Sequence, residues 1–165
     1  MSLASSKMGY AMQLFINSQA PGDPTLSFCK AFQAYFKNAT LNGEAIATGT
    51  ESLPHAAGAL LSGVTLAFKS EEKNMTCLLL QAAFVSYWAA KDPVTDELAL
   101  KTMWPTGTPP AIVEKTLASF LIPALDKEEM EPLEAHTAIA GAIFEWLTTA
   151  VKVEVDSESD YFYFV

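Results

Sequence analysis

The stretch NMTCLLLQAAFVSYWAA, residues 74–90, is apolar on nearly every face when it is drawn as a helix. Beyond Thr76, only Gln81, Ser86 and the hydroxyl of Tyr87 interrupt its apolar character. A helix that is apolar all round must be surrounded by other elements. The stretch therefore predicts the central helix of an all-α domain, with Asn74 as its N-cap residue.

Amphipathic patterns on both sides of this stretch predict further helices. They cover residues 8–16, 24–38, 55–69, 95–103, 109–125 and 132–150. Pro123 is expected to kink or shorten the helix over residues 109–125. Gly58 and Gly63 either weaken the helix over residues 55–69 or allow a neighbouring helix to come close.

Three of the predicted helices share a short signature: AFQAYF (31–36), AFVSYW (83–88) and AIFEWL (142–147). Each is preceded by another predicted helix, and the tripeptide TLA at residues 65–67 recurs at 116–118. We interpret this pattern as three degenerate helical hairpins in a compact bundle of about six helices. The alternative, that amphipathic helices simply look alike, stays open because spacings of 52 and 59 residues exceed those of the familiar helical repeats.

The charge of the chain argues against a nucleic-acid partner, and the length of its apolar runs argues against a membrane span. Its net charge is −9, and all ten of its basic residues are lysines. Arginine is the preferred side chain for phosphates and base edges, and an acidic surface repels a polyanion. We therefore expect no nucleic-acid partner. We also expect no membrane span, because the longest apolar run, residues 75–90, is shorter than the ~20 residues that a spanning helix needs.

The residues that most often carry chemistry do not form a recognisable catalytic or metal-binding motif. A catalytic interpretation would pair His136 with Glu134 or Asp126, but no nucleophile motif completes such a triad. A surface or capping role for the histidine is simpler. Cys29 and Cys77 lie in apolar helical patterns without a CxxC spacing, so we interpret them as small buried residues. We predict a protein that is not an enzyme and has no cofactor.

The sequence pattern changes after residue 150. Every second residue from Val151 to Val155 is a valine and the residues between them are charged, which is typical of a strand. We predict a helical domain over residues 1–150 and an extended C-terminal arm over residues 151–165 that adds to a partner. The residues predicted to contact another protein are Val151, Val153, Val155, Tyr161, Phe162, Tyr163, Phe164 and Val165. Docking of this tail on its own domain is the alternative.

Two segments in the second half of the chain carry a resemblance to a known class of protein. They are MWPTGTPP, residues 103–110, which leads into a predicted helix, and EAHTAIAGAIFEW, residues 134–146. Both resemble segments of small, alanine-rich, all-helical virion proteins of tailed bacteriophages. The resemblance implies assembly into a particle, with other structural proteins or further copies of the chain as partners. It implies a location in the virion; otherwise we expect the cytoplasm.

The sequence therefore favours a non-enzymatic structural subunit of a larger assembly, such as a neck, tail or baseplate component of a tailed phage. The alternative is a small helical binding or regulatory module. Such a module would hold its ligand in an apolar pocket between the hairpins, near Tyr87, Trp88 and Trp146.

Overall fold

Most of the residues that the structure describes are helical. The computed structural model of the protein describes residues 24–36, 40–41, 44–45, 54–89, 111–126, 129–154 and 161–164. Its helices are α1 Pro24–Phe36, α2 Pro54–Lys69, α3 Lys73–Ala89, α4 Ala118–Leu125 and α5 Pro132–Thr149. Its strands are β1 Thr40–Leu41, β2 Glu44–Ala45, β3 Ala111–Val113, β4 Val151–Glu154 and β5 Tyr161–Tyr163. The helical character predicted from sequence is confirmed for these ranges, and the predicted helices over residues 8–16 and 95–103 lie outside them.

Helix α3 is the element against which α2, α4 and β3 pack. It begins at Lys73, and the Thr76 N–H donates to the Glu72 carbonyl at 2.9 Å, so Asn74 lies inside the helix rather than at its cap. The buried residues of α3 are Cys77, Leu80, Ala83, Phe84, Tyr87 and Trp88. On another face Leu78 is 55% exposed. The described elements therefore enclose α3 only in part, although its sequence is apolar all round.

Helices α2 and α3 form a tight antiparallel hairpin. A Cβ atom added to Gly63 would lie 2.5 Å from the Cβ atom of Ala83 and 3.0 Å from its Cα atom. Only glycine leaves room for this approach, which is the second of the two roles considered for the glycines of α2. At Gly58, in contrast, an added Cβ atom would meet nothing within 4 Å.

The three segments that share a sequence signature also share one pattern of burial. In residues 31–36, 83–88 and 142–147 the first, second, fifth and sixth positions are buried, the third is half-buried and the fourth is exposed. These positions lie on one face of a helix, and the buried residues belong to a single core cluster. The two TLA tripeptides do not share a burial pattern. Leu66 is 58% exposed, whereas Leu117 is buried and precedes α4.

Two of the three predicted helical hairpins lie in the described part of the chain. They are α2 with α3, and α4 with α5, and the helices of each pair pack against each other. The predicted partner of α1, over residues 8–16, lies outside the described ranges. The full bundle of six helices therefore stays a prediction.

A small antiparallel sheet closes one side of the core, with strand order β3–β4–β5. Its register pairs Ile112 with Lys152 and Val153 with Phe162. The first part of the helix predicted over residues 109–125 is thus wrong, because Ala111–Val113 is a strand. β-Branched Ile112 and Val113 suit a pleated surface. Strand β4 pairs with β3 along one edge and with β5 along the other. Pro123 lies inside α4, in its last turn, and the helix continues to Leu125, so the proline does not shorten it.

A second, two-stranded sheet follows α1. Strands β1 and β2 are antiparallel, with Thr40 opposite Ala45 and Leu41 opposite Glu44. The sequence between them is Asn42-Gly43, the dipeptide most typical of a two-residue hairpin loop. A short strand thus forms at residues 44–45, between two predicted helices.

Candidate functional site

The C-terminal segment, predicted to contact a partner, packs on its own domain wherever its side chains are described. Val151 and Val153 are buried, and Phe164 is only 2% exposed. The ring centroid of Phe164 lies 5.5 Å from that of Phe36 and 5.3 Å from that of Trp88. These three side chains are therefore part of the core, which is the alternative that the sequence left open.

The other residues of the predicted contact set fall into two groups. Tyr161, Phe162 and Tyr163 form the backbone of β5, which pairs with β4. Val155 and Val165 lie outside the described residues. Contact of these five residues with another protein stays a prediction.

The region around Tyr87, Trp88 and Trp146, where the sequence analysis placed an apolar pocket, is filled by side chains. All three residues are buried, and the void beside Trp88 and Trp146 measures only about 10 Å³. The indole N–H of Trp146 donates to the Lys115 carbonyl at 2.9 Å. This region is packed core, so the predicted position of the pocket is wrong.

A larger cavity, hereafter the apolar pocket, lies elsewhere among the helices and has a volume of about 340 Å³. Every described helix contributes to its wall. The lining residues are Phe28, Phe68, Ser70, Glu71, Lys73, Thr76, Cys77, Leu80, Leu121, Ile122, Leu125 and Ile139. The volume falls within the ~300–1,000 Å³ range typical of small-molecule sites.

The apolar part of the wall combines buried and exposed side chains. Phe28, Leu80 and Leu121 are buried, whereas Phe68 is 43% and Leu125 is 38% exposed. The rings of Phe28 and Phe68 meet edge to face, with centroids 5.5 Å apart. The two half-exposed side chains therefore form an apolar rim that continues the buried wall towards solvent.

The polar part of the wall comes from the α2–α3 turn and the first turn of α3. The Thr76 hydroxyl donates to the Glu72 carbonyl at 3.1 Å, and the Ser70 hydroxyl is hydrogen-bonded to the Glu72 backbone at 3.4 Å. These hydroxyls are therefore used within the turn itself. In the part of the chain that the structure describes, the Lys73 ammonium and the Glu71 carboxylate make no such bond and no ion pair.

Cys77 is the nucleophilic side chain in the lining, and it is a free thiol. Burial raises the pKa of the Cys77 thiol above its ordinary value. The thiol is therefore protonated at neutral pH and is a weak nucleophile. Cys29 is also free and buried, but it does not line the pocket. Both cysteines are thus small buried residues, as the sequence predicts.

The other candidate residues for chemistry lie outside the apolar pocket. Among the residues that the structure describes, no group of three histidine, cysteine, aspartate or glutamate side chains is placed to hold a metal ion. His136 is half-buried on α5 and Glu134 is exposed on the same helix. Neither residue lines the apolar pocket.

Periodicity alone did not reveal the apolar pocket. Phe28, Phe68 and Leu121 each belong to an ordinary apolar stripe of a predicted helix, which is the same signal that a core residue gives. Phe68 and Leu125 are exposed because of how the helices pack around them, and the pattern within a single helix does not show this.

Comparisons with known proteins identify no relative of this chain. No protein-family model, no curated protein and no solved structure matches it. Within the described residues, no helix is long and apolar enough to cross a membrane.

Proposed function

We propose that the protein is a non-enzymatic binding protein that holds an apolar ligand in the apolar pocket. The observation that carries this proposal is a cavity of about 340 Å³ whose wall is apolar except at the α2–α3 turn and the first turn of α3. Its rim exposes Phe68 and Leu125 to water. Removing apolar surface from water contributes roughly 25 cal/mol per Å², so a ligand that covers this rim and fills the cavity is stabilised mainly by the hydrophobic effect.

The chemistry of the lining favours binding over reaction. The thiol of Cys77 is the group that would attack a substrate, and its raised pKa keeps it protonated. Efficient catalysis needs a nucleophile activated by an adjacent base or a lowered pKa. Among the residues that the structure describes, no histidine lines the apolar pocket to act as such a base.

Binding is tested by the rate at which a small methanethiosulfonate reagent modifies Cys77. The Cys29→Ala variant leaves Cys77 as the single thiol of the chain. We expect 1-decanol, a neutral apolar probe, to slow this reaction in a saturable way. In the same background, Leu125→Trp and Ile139→Trp should fill the pocket and abolish the protection.

The matched control is Leu66→Trp, which enlarges an exposed apolar side chain outside the pocket. In this variant 1-decanol should still protect Cys77 from modification. Circular dichroism verifies that each variant is folded. Absence of protection in folded protein, or equal protection in a folded pocket-filling variant, would overturn the proposal.

A second candidate is the structural subunit suggested by the resemblance to tailed-phage virion proteins. It is supported by large apolar side chains on α2 and α3 outside the pocket, since Leu66 and Leu78 are each more than half exposed. Another subunit would bury them. Light scattering over a range of concentrations tests this function: we expect a defined oligomer that Leu78→Lys dissociates. A monomer at all concentrations would contradict self-assembly.

A further inference from the structure

We propose, building on the proposed function, that the apolar pocket takes a single-chain amphiphile with a carboxylate head group. The chain would lie against the apolar wall and the carboxylate would pair with Lys73. The chemical class is a medium-chain fatty acid or an acyl compound that ends in a carboxylate.

Polar and apolar residues occupy separate parts of the wall of the apolar pocket. The polar lining residues all lie between Ser70 and Thr76, and the apolar lining residues come mainly from α1, α4, α5 and the part of α3 beyond Thr76. A ligand that is apolar throughout would leave the polar side unmatched, and a polar ligand would bury its groups against the apolar side at a cost. A molecule with one polar end and one apolar chain matches both sides.

The lining residues of α3 form a stripe along one face of that helix. Lys73, Thr76, Cys77 and Leu80 all line the pocket, and their spacing of three, one and three residues places them on one face of the helix. The stripe runs from a cation at one end to a buried leucine at the other. Its length is about 10 Å, from a rise of ~1.5 Å per residue, which is the length scale of a medium-chain alkyl group.

The polar lining residues differ in whether other groups of the protein already bind them. The hydroxyls of Ser70 and Thr76 are engaged by the turn backbone, so they do not select the head group. Lys73 and Glu71 are the charged lining residues, and neither forms an ion pair in the described part of the chain. Lys73 is in line with the helical stripe, whereas Glu71 lies in the turn before α3. A ligand that follows the stripe therefore brings its head to the cation.

The test compares three ten-carbon probes that share one chain length: decanoate, 1-decanol and decyltrimethylammonium. All are used below their micellar concentrations at pH 7.5, on the full chain carrying Cys29→Ala, with protection of Cys77 as the readout. We expect decanoate to bind most tightly and the trimethylammonium probe least tightly. Added salt should weaken the binding of decanoate and leave that of 1-decanol unchanged.

The Lys73→Met variant removes the cation and keeps the apolar stem. It should weaken the binding of decanoate on the order of fivefold, which is the effect of losing one partly exposed ion pair. The binding of 1-decanol should not change. The matched control is Lys69→Met, which makes the same change in net charge at an exposed residue outside the pocket lining. It should leave all three affinities unchanged.

The outcomes separate the two proposals. If the unsubstituted pocket binds decanoate no more tightly than 1-decanol, or if Lys73→Met leaves the affinity for decanoate unchanged, the carboxylate inference is overturned and the binding function stands. Tightest binding of the trimethylammonium probe would overturn it in favour of recognition by Glu71. Failure of every probe to protect Cys77 would overturn the binding function and this inference together.

Discussion

The ring of Phe164 meets the indole of Trp88 edge to face, with their centroids 5.3 Å apart and an interplanar angle of 86°. Phe164 also contacts Phe36 of α1, with a centroid distance of 5.5 Å. The penultimate residue of the chain therefore joins the core between α1 and α3. Such aromatic pairs contribute about 0.5–1.5 kcal/mol each beyond the burial of their area, so the C-terminal segment supports the fold of its own chain.

Truncation of this ring should destabilise the isolated protein. We expect Phe164→Ala to lower the free energy of unfolding by about 3–5 kcal/mol, because it removes a buried ring and leaves a cavity. Urea unfolding followed by circular dichroism measures the change. Leu78→Ala, at a side chain that is 55% exposed, is the control and should change stability by less than about 1 kcal/mol. Equal effects of the two substitutions would place Phe164 outside the core.

The contact between Gly63 and Ala83 predicts an unusual response to alanine. Alanine is favoured over glycine in a helix by about 1 kcal/mol, and Gly58→Ala should show that gain because its surroundings are open. Gly63→Ala should instead lower the melting temperature, since its Cβ atom would lie 2.5 Å from that of Ala83. Adding Ala83→Gly should recover part of the loss. A Gly63→Ala protein as stable as Gly58→Ala would contradict the close approach.

The hydroxyl of Tyr35 is buried and has no hydrogen-bond partner among the described residues. A buried unsatisfied polar group costs about 1–3 kcal/mol, so Tyr35→Phe should keep the ring and raise the free energy of unfolding by about 1 kcal/mol. Tyr35→Leu should lower it, because the ring contributes to the core. Chemical denaturation of both variants decides the sign. A clear loss of stability in Tyr35→Phe would show that the hydroxyl has a partner.

Buried tyrosines should make the protein sensitive to alkali. Burial raises the pKa of Tyr87 to about 12, and it also raises that of Tyr35. The folded state therefore holds these phenolic protons more tightly than the unfolded state, whose pKa is about 10. This contribution to stability is complete below pH ~10 and is lost as the pH rises from ~10 to ~12. Denaturation across this range tests the loss, and Tyr87→Phe should reduce its slope.

The helices illustrate how far local sequence reaches. The patterns over residues 24–38, 55–69, 74–90 and 132–150 each correspond to a helix whose ends agree within two residues. This agreement arises because the helical period and the proline and glycine signals act between residues that are close in the chain. The burial shared by the three signature segments is also legible in sequence, since it records the core-facing side of each helix.

Strand β3 is an element that the local sequence pattern did not predict. Ile112 and Val113 fit an amphipathic helix by spacing, and the sequence analysis placed them in one. They form a strand because β4, almost forty residues later, presents its edge to them, and the Glu114 N–H donates to the Ala150 carbonyl at 2.7 Å. The Lys152 ammonium also forms an ion pair with the Glu114 carboxylate, with 2.6 Å between the nitrogen and the oxygen. Pairing over such a distance has no periodic signature.

By itself, the sequence determined the helical class, the positions of four helices and the strand after residue 150. These follow from the period of apolar residues, which the backbone geometry of each element imposes locally. The packing of the helices was needed to show that Phe164 returns to the core and that the cavity lies beside Phe68 and Leu125 rather than beside Trp146. The physical reason is that a core and a pocket have the same apolar composition, and they differ only in whether the assembled helices bring side chains close enough to fill the space between them.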